Sequence, residues 1–189
     1  MNVKGCHIVI APKLQTDRLF IQRLEIKDAG VFFQYRSDER VFKYQSWQPT
    51  EKAEAEAFIL KYAHGDFGVP DTWYQMGLYL QQTSQLIGDI GLHFLDVPSQ
   101  SVEIGFTVAP AYQRQGYAFE AVREMLNYLL ETLEKHRVIA SVDPRNTASI
   151  ALLEKLGMRK EAHFRESLKV RGEWVDDVIY AILRSEWKL

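Results

Sequence analysis

The chain has 189 residues, 47% hydrophobic and 25% charged, with a formal net charge of −2; that is one domain's worth of sequence, and a chain this long buries about 70% of the surface it exposes when unfolded. The faintly acidic balance argues against direct nucleic-acid binding, which shows as a basic patch, and no apolar run approaches the roughly 20 residues of a membrane helix. A single cysteine, Cys6, excludes an intrachain disulfide and a multi-cysteine metal site.

Residues 1–13 read as a flexible tail on a single domain spanning 1–189. They carry little of the basic and apolar character of a secretory signal, so a cytoplasmic protein is expected. Residues 18–24, with Leu19, Phe20, Ile21 and Leu24, predict a first strand, and residues 28–36, with Val31, Phe32 and Tyr35 on one face, a first helix. Trp47, Gln48 and Pro49 interrupt the chain. Thr50 is then the expected N-cap of a second helix, with Glu51 and Glu54 near its start and Phe58, Ile59 and Tyr62 as its apolar stripe. Residues 65–71, rich in Gly, Pro and Asp, form a loop.

Three strands follow as a meander at 73–80, 86–94 and 102–108, separated by polar turns at 81–85 and 96–100. From Tyr117 the period changes to that of an amphipathic helix, through Ala118, Ala121, Val122, Met125, Leu126, Leu129 and Leu133. Residues 138–142 are another strand. Asn146 caps a helix carrying Ile150, Leu152, Leu153 and Leu156, which Gly157 stops. Residues 160–170 and 174–183 flank Arg171 and Gly172, a hairpin signal. The order β-α-α-β-β-β-α-β-α-β-β describes a layered α/β domain, a mixed central sheet of about seven strands flanked by about four helices. The late cluster Arg159, Lys160, Arg165, Lys169 and Arg171 alternates with Glu161, Glu166 and Glu173, as in a solvated strand pair.

The strand at 102–108 runs into Ala109 and Pro110, and proline's missing N–H ends the ladder there. A few residues later a helix opens near Gly116, whose lack of a side chain lets backbone amides approach a ligand, while the helix's unpaired N–H groups and dipole favour an anion. The turn matches neither the phosphate-loop pattern Gly-x-x-x-x-Gly-Lys nor the dinucleotide fingerprint Gly-x-Gly-x-x-Gly. No metal-ligand spacing and no Gly-x-Ser-x-Gly elbow stand out, so no metal is expected.

Gln113, Gly116 and Ala118 resemble the Gln/Arg-x-x-Gly-x-Gly/Ala signature of the GNAT superfamily of N-acetyltransferases. Similarity to its RimJ/RimL branch of ribosomal-protein N-terminal acetyltransferases covers residues 14–187. It runs through Thr16, Asp17 and Arg18, through Glu103, Ile104, Gly105 and Phe106, through Asn146 and Ser149, and through Gly172, Glu173, Trp174 and Asp177. The resemblance implies a GNAT-type fold, acetyl-CoA as donor, and an amine acceptor that is a protein N-terminus or a small polyamine, amino acid or drug. It also implies no membrane partner. A silent acyl-CoA-binding module is the rival reading, and oligomeric state is not legible.

By the same resemblance, Phe106, Thr107 and Val108 pair with the pantetheine arm. The amides of Gln113, Arg114, Gln115, Gly116, Tyr117 and Ala118 hold the pyrophosphate, with Arg114 able to add charge. Asn146 gains a second role toward pantetheine or substrate amide, and the Ser149 hydroxyl approaches the thioester sulfur. Where many GNAT enzymes carry a tyrosine acid this chain has Leu152, Leu153 and Leu156, which leaves Ser149 or water to stabilise the thiolate.

A primary amine is mostly protonated at neutral pH, so the reaction needs a base. Glu103 is the first candidate, since alternation sets it on the face opposite Ile104 and Phe106 on the strand that would face the thioester; a salt-bridging surface glutamate is the alternative. Asp89 and His93, four apart on the preceding strand, share a face, and either could assist or replace it. Phe42, Tyr44 and Trp47, with the loop at 65–73, are the candidate acceptor wall, against ordinary packing.

Overall fold

The computed structural model describes residues 10–95 and 100–188. Cys6, most of the expected tail and most of the turn at 96–100 lie outside the described residues. Eight strands form one sheet in the order β1-β2-β3-β4-β5-β6-β8-β7. They are β1 (Leu14–Gln15), β2 (Leu19–Arg23), β3 (Thr72–Leu80), β4 (Leu86–Phe94), β5 (Ser101–Val108), β6 (Arg137–Val142), β7 (Arg159–Val170) and β8 (Glu173–Leu183). The α-helices are α1 (Ala29–Arg36), α2 (Glu39–Phe42), α3 (Lys52–Ala63), α4 (Tyr117–Asn127) and α5 (Thr147–Lys155). The expected counts are each low by one, because β1 has two residues and α2 is a single turn, too short to leave a periodic signal.

Neighbouring strands are antiparallel except β5 and β6, which run parallel. One face of the sheet is covered by α1 and α3, which pack Leu24, Phe32, Tyr35, Ile59 and Ala63 together. The other is covered by α4 and α5, where Val122, Met125, Leu126 and Leu153 meet Ile90, Leu92, Val102 and Ile104. Because both faces of β3 and β4 are covered, these strands are buried almost throughout rather than alternately. Gln75, Asp89, Ser101 and Thr107 are the buried polar residues of β3, β4 and β5.

Two local expectations shift. Thr50 does not cap α3: Glu51 holds the N-cap position, and both the amide and hydroxyl of Thr50 donate to the Glu54 carboxylate. The long amphipathic helix changes pitch after Asn127 and continues as a wider π turn over Tyr128–Thr132, which carries the consecutive Leu129 and Leu130 both into the core.

Candidate active site

Two strands that part company create the site. The β5–β6 ladder pairs Ser101 with Arg137, Val102 with Val138 and Glu103 with Ile139, and ends there. Past that point β5 stays with β4 as far as Val108, and β6 stays with β8 as far as Val142. Residues 104–108 and 140–142 therefore border a gap without pairing across it, leaving backbone groups that can accept an extended ligand as an added strand would. Two cavities meet at this gap. One, about 690 Å³, is bordered by Phe106, Thr107, Val108, Gly116, Ala118 and Leu152; the other, about 550 Å³, by Glu103, Gly105, Trp73, Arg171, Val175 and Asp177. Tyr44, Phe106, Asn146 and Ser149 border both.

The larger cavity ends on the turn before α4. Arg114 and Gly116 adopt positive φ, 61° and 83°, and Gly116 is the N-cap. The first amide bonded within the helix is that of Glu120, to the Gly116 carbonyl, so the amides just before it have no intrahelical partner and are available to an anion. Arg18 braces the turn: its guanidinium lies 4.3 Å from the Tyr117 ring centroid, pairs with Glu120, and donates to the Gln115 carbonyl at 3.0 Å. A Cβ on residue 116 would come 3.3 Å from that guanidinium. Partial burial works against ionisation of Glu120, yet hydrogen bonds from Thr16 and Arg18 hold its carboxyl below the ordinary range. Gln113 and Gln115 spend their side-chain amides on the Val108 and Ala111 carbonyls, both at 2.9 Å, and Gln115 does not border the cavity. Arg114 is exposed at its rim.

At the start of α5 the Asn146 Oδ1 accepts the Ser149 amide at 3.2 Å, so the N-cap is present and the Asn146 NH2 is the part that can face a ligand. Ser149 and Asn146 stand beside the gap, across from Phe106. The Thr107 hydroxyl is buried without a hydrogen-bond partner among the described residues. These features suit acetyl-CoA: an open strand edge, unpaired amides at a helix start, and a slot between them.

Glu103 opens onto the smaller cavity, on the face opposite Ile104 and Phe106. Its register partner on β4 is His93, with Nδ1 3.5 Å from the Glu103 Oε2; Nε2 of the same ring is 3.6 Å from Asp71, and Trp73 stacks on the imidazole at 4.8 Å. Burial raises the Glu103 carboxyl above its ordinary value; His93 pulls the other way and Asp177 adds to the rise. Among the described residues no side chain fills the space above Gly105, where a Cβ would meet nothing within 4 Å.

Asp89 does not share this role. It is fully buried, ion-paired to Arg36, and accepts hydrogen bonds from Tyr35 at 2.5 Å and from Gln75. Of the expected acceptor wall, Tyr44 and Trp73 reach the cavity. Trp47 instead stacks on Phe58 at 4.4 Å, Phe42 lies under Arg171, and Phe67 of the loop is buried against Tyr74 and Phe94. Residues not anticipated include Lys43, Arg145 and Arg171. Arg171 is not a solvated strand charge: from the β7–β8 turn it donates to the Phe42, Lys43 and Gln45 carbonyls at 3.0, 2.7 and 2.9 Å, tying the hairpin to the segment after α2. Its sequence signals were its place in a two-residue turn and in the late charged cluster, and neither pointed to these carbonyls.

Among the described residues no group of three or more His, Cys, Asp or Glu could hold a metal ion, and no helix is long and apolar enough to cross a membrane. Residues 18–159 match the family model for the acetyltransferase (GNAT) domain. The uncharacterised N-acetyltransferase YnaD of Bacillus subtilis is 33% identical over 174 residues, covering 92% of this chain and 98% of that protein. The ribosomal protein uS5-alanine N-acetyltransferase of Escherichia coli is 26% identical over 183 residues, 93% of this chain and 92% of its own. Among solved structures, a GNAT acetyltransferase from Bacillus anthracis has a TM-score of 0.83 at 31% identity, covering 93% of this chain and 100% of that one. Spermidine N-acetyltransferase from Vibrio cholerae, solved with CoA and spermine, shares the fold at a TM-score of 0.77 and 23% identity, covering 90% and 98%. With the split sheet, the amide-lined turn and these matches in hand, the chain belongs to the GNAT acetyltransferase family and is an acetyl-CoA-dependent N-acetyltransferase.

Proposed function

We propose that the acetyl group passes directly from acetyl-CoA to the primary amine of a peptide or protein N-terminus, with Glu103 as base and Ser149 at the thioester sulfur. The observation that carries this reading is the meeting of two cavities at the β5–β6 gap, with Glu103 bordering only the cavity away from the amide-lined turn. Donor and acceptor then enter from opposite ends, and no enzyme nucleophile is needed between them.

In this reading residues 106–108 and the amides from Gln113 to Ala118 hold the donor, with Arg114 at the rim and Asn146 orienting it. The ammonium of the acceptor surrenders a proton to Glu103, whose burial brings its basicity closer to the working pH. Ser149 lies in the first turn of α5, where its hydroxyl and the positive end of the helix favour negative charge developing on sulfur. A peptide acceptor is supported by the action of the E. coli relative on an alanine amino terminus and by the acceptor cavity's border along the β7–β8 hairpin. A small polyamine is the second reading, favoured by Glu173, Asp176 and Asp177, which give that cavity carboxylates for a further cationic group. A single domain is supported by the one sheet that joins β1 to β7.

The test is thiol release from acetyl-CoA with alanine- and serine-initiated peptides and with spermidine, followed by mass analysis of the product. Acetylation at the peptide α-amine is the expected result. A product confined to spermidine moves the assignment to the second reading, and no thiol release with any of these amines overturns both.

A further inference from the structure

An ammonium acceptor gives up two protons on becoming an amide, and the departing thiolate takes only one. The other must leave the site in every turnover. Glu103 is poorly placed to release it straight to bulk solvent, since its side chain is only 24% exposed and burial already favours its protonated form. His93 sits between Glu103 and the surface: one ring nitrogen faces the Glu103 carboxylate at 3.5 Å, and the other faces Asp71 at 3.6 Å. Each separation is within about 0.5 Å of hydrogen-bonding distance. The side chains of Glu103 and His93 are 24% and 19% exposed and that of Asp71 is 90% exposed, so the imidazole links the enclosed Glu103 carboxylate to a carboxylate at the surface. The Trp73 indole, parallel to the imidazole within 13°, holds the ring in the plane that points its nitrogens at both carboxylates.

We propose that His93 is the exit for the acceptor's proton, receiving it from Glu103 and releasing one to Asp71 and bulk water. This rests on the assignment of Glu103 as base. The Glu103 O–H bond breaks as Nδ1–H forms; the Nε2–H bond then breaks and its proton passes to the Asp71 carboxylate or to water. Glu103 is left ionised for the next acceptor, one proton has reached solvent, and the neutral ring regains its starting tautomer by proton exchange with water between turnovers. His93 works through Glu103 and touches no reacting atom.

The charged groups around this path come from several elements. Asp71 precedes β3, Glu103 is on β5, and Asp177 on β8 acts on Glu103 from the far side. Lys43, the Asp143–Arg145 pair, Arg171, Glu173 and Asp176 face the rest of the cavity. Arg145 is paired within its own loop, Arg171 is bound to backbone carbonyls, and Asp176 is held by His163 at 2.7 Å. No imidazole borders the acceptor cavity itself among the described residues; His93 stands behind Glu103.

The experiment compares wild type with His93→Ala, His93→Gln, Asp71→Asn and Glu103→Gln, reading kcat/KM for an alanine-initiated peptide or spermidine against pH, with and without added imidazole. His93→Ala is expected to lower kcat/KM for the amine roughly 10- to 100-fold, leave the KM for acetyl-CoA unchanged, and regain most of the loss in millimolar imidazole. His93→Gln, which keeps a polar side chain but cannot titrate, should show the same loss without the rescue. Asp71→Asn should cost only a few-fold, because water can replace an exposed carboxylate. Full activity in His93→Gln alongside a strong loss in Glu103→Gln overturns the relay while leaving the base assignment intact, as does a His93→Ala defect that imidazole fails to repair in a protein of wild-type melting temperature. Full activity in Glu103→Gln overturns the base assignment and the relay together.

Discussion

Asp89 and Glu103 are carboxylates on adjacent strands, on the same face of the sheet, and have opposite fates. Asp89 is fully buried and saturated by Arg36, Tyr35 and Gln75. Burial and the Asp89 charge push the Tyr35 phenol well above its ordinary value, which keeps that hydroxyl a donor to the carboxylate. Glu103 has one close titratable partner, His93, and faces an open cavity where β6 leaves β5. A charge fully neutralised within the protein holds the fold and offers a substrate nothing; one left partly unsatisfied beside a gap can take a proton. The difference lies in the partners and not in the residue type.

Substitutions separate the two roles. The largest expected effect is on turnover: Glu103→Gln should lower kcat by about 100- to 1,000-fold with acetyl-CoA affinity unchanged, measured by thiol release and by calorimetry. Asp89→Ala should do the reverse, costing about 3–5 kcal/mol in urea unfolding because it strands the buried Arg36 guanidinium. A fold that tolerates Asp89→Ala while losing turnover would break the comparison. The smallest effect concerns the stability of Glu103→Gln. Burial raises the folded carboxyl above its unfolded value, so the folded state binds more protons; wild type should lose stability relative to the variant as pH rises out of the ordinary glutamate range, and the two should converge below it. Thermal melts across pH read this directly, and a variant less stable than wild type at neutral pH would contradict it.

Much of this arrangement was legible in the sequence, and the remainder has physical reasons. Alternation placed Glu103 opposite Ile104 and Phe106, and the proline, glycine and Asn146 signals located the turn and the cap, because each is a local property of the backbone. Asp89 and His93 share one periodicity, so spacing could not distinguish them; only Arg36 and Tyr35, more than fifty residues earlier in the chain, decide that Asp89 is structural. Trp47 and Phe42 resembled a substrate wall because aromatic residues serve packing and recognition equally well. The role of Arg171 was not legible since its three carbonyl partners lie at the end of α2 and just after it, 126 to 129 residues earlier in the chain. The gap itself left no local trace: β5 and β6 are ordinary strands, and what matters is the point at which they stop pairing.

The most direct test of the account is a crystal structure with CoA and an N-acetylated peptide. The sulfur should lie in the gap between residues 104–108 and 140–142, beside Ser149, with the pyrophosphate on the amides before α4 and the product amide facing Glu103 from the smaller cavity. A sulfur outside that gap, or an amide that approaches from the side away from Glu103, would contradict it.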